Sequence, residues 1–342
     1  AVNPDGLTWE TAFPTLQQAA DASTGYGTEI WVAEGAYTAE TGNTVVSLKP
    51  MDAVYGGFSG TETVREARDS RVHKTIIDGQ GTRRCVTANA SNVLDGFTLQ
   101  NGNAVNGGGM HGGTAVHCIF TKNTTPGGGG GMCYGVAKNC TFAGNSAGYG
   151  GGISGIGQSL PDIAPLGSML GVAVNCIFTG NIASSGGGMY YGITTNCTFA
   201  GNIGGGMEGC IATNCILCGN GPKEVYGTDI TYSCLSVATA GEGNIIADPL
   251  FVDSATGNYQ LQAGSPCIDK GTAQNAPPTD ILGVSRPCGS GVDIGAYEYV
   301  VPPAEGEGEV VIEGEPPSEG EGEGEVVVEG ENPAEGEGEV IV

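Results

Sequence analysis

Between Asn101 and Gly221 this chain carries only four charged side chains, Lys122, Lys138, Asp162 and Glu208. Acid–base cleavage of a glycosidic bond needs two carboxylates facing one bond, and metal-assisted cleavage needs acidic ligands beside a base. No such pair is available here, because Asp162 falls in a loop-like stretch and Glu208 follows Met207 well downstream. His111 and His117 are the histidines of the region, and each reads as a structural residue on a strand surface. Carboxylates gather only later, at Asp248, Asp253, Asp269, Asp280 and Asp293. Aspartate caps turns through its own side chain, which accounts for most of them. That cluster is also where a structural calcium would find ligands, and no other cofactor is expected. No Cys-x-x-Cys pair accompanied by histidines appears, so zinc is not expected. Asn89, Asn123, Asn139 and Asn196 match the N-glycan acceptor pattern, the last two inside expected strands.

The elements that carry these residues are short and repeated. His117-Cys-Ile-Phe-Thr-Lys-Asn123 recurs as Asn139-Cys-Thr-Phe-Ala-Gly-Asn145, Asn175-Cys-Ile-Phe-Thr-Gly-Asn181, Asn196-Cys-Thr-Phe-Ala-Gly-Asn202 and Asn214-Cys-Ile-Leu-Cys-Gly-Asn220. A glycine run ending in Met110, Met132, Ile153, Met189 or Met207 keeps step with it. Cysteine spacings of 22, 21 and 18 residues suit one rung of a parallel β-helix, and the spacing of 36 from Cys140 to Cys176 marks a loop inserted over 157–170.

Strand side chains alternate faces, so Cys and Phe of each phrase share the inside. Cys118, Cys140, Cys176, Cys197 and Cys215 are expected to form a ladder of buried thiols, since stacked strands hold Cβ atoms about 4.8 Å apart, beyond disulfide range. Phe120, Phe142, Phe178 and Phe199 form the ring ladder beside it, each worth roughly 1.5–3 kcal/mol of burial. Ile119, Thr141, Ile177, Thr198 and Ile216 face outward, where β-branched residues fit a sheet or seat a partner. The closing asparagines, 123 through 220, are expected in left-handed turn conformations. Cys267 and Cys288 lie outside the repeat and are the best disulfide candidates.

The net charge of -25 is unevenly spread: residues 301–342 hold 14 Glu and no Lys or Arg. No basic stripe suits nucleic acid or an anionic membrane, and no apolar run approaches the length of a membrane span. A start at Ala1 without Met reads as a processed, exported protein.

The organisation expected is an N-terminal cap with first coils over 1–80, rungs over 81–243, a C-terminal capping module over 244–299 and an acidic low-complexity tail over 300–342. Within the cap, Leu16, Ala19 and Ala20 space as a short amphipathic helix and residues 29–37 alternate as a strand. The phrases Ala247-Asp-Pro-Leu-Phe-Val-Asp253, Asn258 to Gly271 and Arg286-Pro-Cys through Tyr299 resemble the C-terminal module called choice-of-anchor Q of secreted bacterial right-handed parallel β-helix repeat proteins. Asp5-Gly-x-x-Trp-x-x-Ala-Phe13 and Ile30-Trp-Val-Ala-x-Gly-x-Tyr37 resemble the opening of the same proteins. The resemblance covers residues 1–299. It implies an all-β, right-handed parallel β-helix at a bacterial surface, and no activity.

The tail repeats a Glu-Gly run before Val310-Val-Ile312, Val326-Val-Val328 and Val340-Ile-Val342. Such triplets are competent strands for an exposed sheet edge, so Val310, Ile312, Val326, Val328, Val340 and Val342 are the self-association candidates. The function expected is a non-catalytic, exported structural protein that binds copies of itself in a filament or surface layer. The rival is a β-helix that binds or cleaves a polysaccharide, as pectate lyases and polygalacturonases do, with loop 157–170 as a groove wall and cell-surface glycans as partners.

Overall fold

Each repeat phrase folds as a corner followed by a strand, and the computed structural model, which describes residues 4–155, 170–221, 223–302 and 339–341, winds them into a parallel β-helix. Two sheets have ten strands and a third has eight. Taking one turn of the coil, Thr114–Val116 belongs to the first sheet, Ile119–Thr121 to the second and Met132–Cys133 to the third. Successive turns pair in parallel without slippage: Phe120 lies against Phe142, then Phe178, Phe199 and Leu217. The rings stack at 4.5, 4.9 and 4.4 Å with their planes nearly parallel. Met110, Met132, Ile153, Met189 and Met207 form the matching ladder of the third sheet, all buried. Glycine is required where ladders approach: a Cβ on Gly152 would meet the Phe178 ring and the Gly188 carbonyl at 2.6 Å each.

Cys118, Cys140, Cys176, Cys197 and Cys215 are buried free thiols. They donate to backbone carbonyls two residues back, as Cys140 Sγ does to Lys138 O at 3.1 Å. Burial pushes Cys215 up to about 11 and raises Cys140 and Cys197 as well, so these three are neutral thiols acting as small hydrophobes.

The two asparagines of each phrase divide their roles differently from the expectation. The opening residue takes the left-handed corner: His117, Asn139, Asn175, Asn196 and Asn214 have φ of 48 to 56°. The closing asparagines do not; they point inward, at most 1% exposed, and form a ladder of their own. Asn145 Nδ2 donates to Phe120 O and to Asn181 Oδ1, and Asn181 repeats the pattern with Phe142 O and Asn202. The left-handed residue at this corner is the one before, Lys122, Gly144, Gly180, Gly201 or Gly219. A buried amide with donor and acceptor at right angles to the strand can repeat its bonds at every rung, which a surface turn residue cannot.

The coil is already wound within the N-terminal residues. Glu29–Ala33, Gly35–Tyr37 and Thr44–Ser47 are already one strand of each sheet. The helix Leu16–Ala22, capped by the Thr15 hydroxyl, buries Leu16, Ala19 and Ala20 against this first turn.

Residues 247–299 do not close the far end as a cap would. They fold back along the outer face of the second sheet. Ile177, Thr198 and Ile216 do face outward, yet they are no more than 5% exposed, because Ala296, Tyr259, Leu261 and Ile294 pack on them. Ala296 N donates to Thr198 Oγ1, and Tyr259 OH lies 2.6 Å from Thr179 Oγ1. A Cβ on Gly295 would sit 2.6 Å from Ile216 Cδ1. The outer ladder therefore seats the chain's own module, and only Ile119 at its end stays open, at 39% exposure. The expected disulfide is likewise replaced: Cys267 and Cys288 are both free, and Cys267 is buried beside Cys234 in the cluster under the module. Cys288 sits elsewhere, its N–H donating to Glu298.

Candidate functional site

Two places bring chemistry-bearing residues together. The first is the edge of the first sheet. Glu29–Ala33 is the first body strand of that sheet, and Glu339–Ile341 of the tail pairs with it in parallel: Glu29 opposite Glu339, Ile30 opposite Val340, Trp31 opposite Ile341. On the body side of this edge the Arg65 guanidinium contacts the Glu29 carboxylate and lies over the Tyr55 ring at 4.9 Å. Of the other tail candidates, Val310, Ile312, Val326, Val328 and Val342 lie outside the described residues.

The second place is a groove of about 950 Å³ over the middle of the second sheet. Its floor is the outer face at Ile119, Thr141 and Ile177, one wall is the excursion 65–74, and the other is the module around Ile281 and Tyr297. Loop 157–170, the wall expected from the sequence, lies outside the described residues up to 169, and the excursion and module form the walls that are described.

A polar chain crosses this floor. Arg68 Nη2 lies 2.8 Å from Asp95 Oδ2, Asp95 Oδ1 is 3.2 Å from His117 Nδ1, and His117 Nε2 is 3.1 Å from Asn139 Nδ2. Asn139 Oδ1 then accepts from Asn175 Nδ2, and Asn175 Oδ1 accepts from Arg286, whose guanidinium also contacts Glu298. An amide nitrogen only donates, so His117 Nε2 accepts and its proton sits on Nδ1, shared with Asp95. Both ring nitrogens are thereby engaged, which makes His117 a brace for the groove floor. His111 lies on the third sheet, edge-on to Tyr134 at 5.4 Å, and burial holds its pKa below the usual histidine range.

Glu208 also lies on the third sheet, away from the groove, and Asp162 is outside the described residues. The five C-terminal aspartates are spent separately on backbone N–H groups: Asp248 on Leu250, Asp253 on Ala255, Asp269 on Gly291, Asp280 on Leu282 and Val284, Asp293 on Asp269 and Tyr299. Among the described residues no three metal-ligating groups converge. Of the glycan acceptors, Asn123 and Asn196 are fully buried and Asn89 is exposed.

Sequence reasoning missed Asp95 and the 65–74 excursion. The signal was present: Asp95 precedes His117 by 22 residues, one rung, and Arg65, Arg68, Arg71 and Lys74 are four of the chain's 12 cations within ten positions.

No protein-family model matches the chain, and no curated protein matches it. Among solved structures it is similar to pectate lyase Pel9A, at 14% identity and a TM-score of 0.37, with 82% of this chain and 90% of that chain covered.

Proposed function

We propose that this chain is a non-catalytic structural protein of an exported bacterial surface or matrix, as its resemblance to secreted β-helix repeat proteins implies, and that its copies join by tail-strand addition. One observation carries this reading: the register of Glu339–Ile341 on the edge strand Glu29–Ala33. An uncovered edge strand is a template for another strand, and addition there supplies backbone hydrogen bonds without new side-chain fit. The same pairing forms within one copy or between two, so a tail either protects the edge of its own body or adds to another's. A tethered strand competes at an effective concentration of about millimolar or below, which sets the protein concentration at which exchange between copies takes over.

Paired parallel strands stand about 4.8 Å apart, beyond a direct disulfide but within reach of a short bifunctional thiol reagent. Two full-length variants, Glu29→Cys and Glu339→Cys, mixed and treated with such a reagent, are expected to give more covalent dimer than either variant alone. A mixture that stays monomeric on a non-reducing gel at every protein concentration removes the proposal.

A further inference from the structure

We propose that the groove between the 65–74 excursion and the C-terminal module is a binding site for a carboxylate-bearing oligosaccharide. The site goes beyond the tail-strand reading and uses none of its residues except Arg65, which borders both.

The groove gathers cations within an acidic molecule. Arg65, Arg68, Arg71 and Lys74 line it together with Glu66 and Asp69, in a chain of net charge -25. The inner pair is already engaged: Arg65 contacts Glu29 and Arg68 contacts Asp95 and the Gly56 carbonyl. The outer pair is not. Arg71 is 85% exposed with one 3.4 Å contact to Asp69, and Lys74 Nζ donates only to Ser70 O among the described residues. Exposed cations held over a groove by a rigid inner row attract an anion and leave it room to bind.

The floor decides which polymer that anion belongs to. It is the face of a sheet, so its backbone N–H and C=O groups are already paired between Ile119–Thr121, Thr141–Ala143 and Ile177–Thr179. An extended acidic peptide laid there would find no edge to pair with and would leave its own backbone groups unmatched. A saccharide has no such backbone. Its hydroxyls suit the side chains of Thr141 and Asn139 on the floor, its apolar ring faces suit Ile281 and Tyr297 on the wall, and its carboxylates suit Arg71 and Lys74 opposite. Nucleic acid would need aromatic rings for stacking along the floor, where Ile119, Thr141 and Ile177 stand instead.

The test titrates full-length protein with three hexasaccharides by calorimetry: hexaguluronate, the uncharged cellohexaose, and a heparin hexamer that carries sulfate. Hexaguluronate is expected to bind, more weakly as salt rises, while cellohexaose does not. Arg71→Glu and Lys74→Glu should each weaken hexaguluronate about tenfold or more with the circular dichroism unchanged, and Lys223→Glu, on the third-sheet side beside Tyr226, should leave it unaltered. No binding of hexaguluronate up to millimolar overturns the proposal, as does equal binding of cellohexaose. Binding of the heparin hexamer alone overturns the carboxylate assignment. Insensitivity to both reversals overturns the location.

Discussion

Phe178 sits between Phe142 and Phe199 with no solvent contact and two stacked neighbours. Its removal in Phe178→Ala is expected to cost about 3–5 kcal/mol, because the flanking rungs are pinned by the sheets and cannot close the gap. The shift in denaturation midpoint measures it, and a cost below 1 kcal/mol would mean that the ladder is loosely packed. Asn181→Ala tests the second ladder. It strips the donor from Phe142 O and the acceptor from Asn145, leaving buried groups that cost about 1–3 kcal/mol each. At this scale the inside of the rung was legible because alternation is a local property: once Cys and Phe share a face, every repeat follows. The asparagine roles were not legible, since an inward amide ladder and an outward turn residue read alike in one sequence. What separates them is the residue before, a Gly or Lys that takes the left-handed turn and frees the Asn to point inward.

Among the elements, the C-terminal module is held to the second sheet by a buried polar knot as well as by apolar packing. Arg286 reaches Glu298, Gly295 O and Asn175, while Asp293 accepts from Asp269 N and Tyr299 N, with Asp280 close by and accepting from Glu298 N. Burial pushes the Asp293 carboxyl up to about 6, with Glu298 and Asp269 adding repulsion, against an ordinary value of 3.8. A folded-state value above the unfolded one favours the docked module while the group is protonated. That stabilisation is full below about pH 4 and is lost as pH rises through about 6, an effect of up to about 3 kcal/mol. Hydrogen exchange of the Ala296 amide is therefore expected to slow from pH 7 to pH 5 beyond its intrinsic pH dependence, and Asp293→Asn should abolish the excess. An unchanged excess in that variant would rule Asp293 out as the titrating group. The module's existence was readable from its phrases, but not its seat. Docking depends on which rungs leave their outer Ile and Thr uncovered, and that is fixed by where the excursion 65–74 and the module meet in space.

For the whole molecule, the parallel winding was readable from spacing alone, whereas the groove was not, because its walls come from residues some 200 positions apart. The two carboxylates that line the groove, Glu66 and Asp69, are each paired with an arginine, so incubation with pectin or alginate, with or without calcium, is expected to give no turnover. Turnover lost in Asp162→Asn or Glu208→Gln would reverse that reading. The tail carries the remaining expectation. Its 14 Glu repel one another and the acidic body at low salt, and at the edge strand that receives the tail Arg65 contacts the Glu29 carboxylate. Added salt shortens the range of that repulsion to roughly 10 Å at 0.1 M, while the strand's backbone bonds are insensitive to it. Assembly followed by light scattering should therefore rise with salt and with protein concentration. Arg65→Ala should need more salt to reach the same size. A chain ending at Tyr299 lacks the donor strand, so it should keep the circular dichroism and melting of the body and stay monomeric. If that truncated chain polymerises as the full one does, or the full one is monomeric at every salt concentration, the tail is a spacer and its strand serves only its own edge.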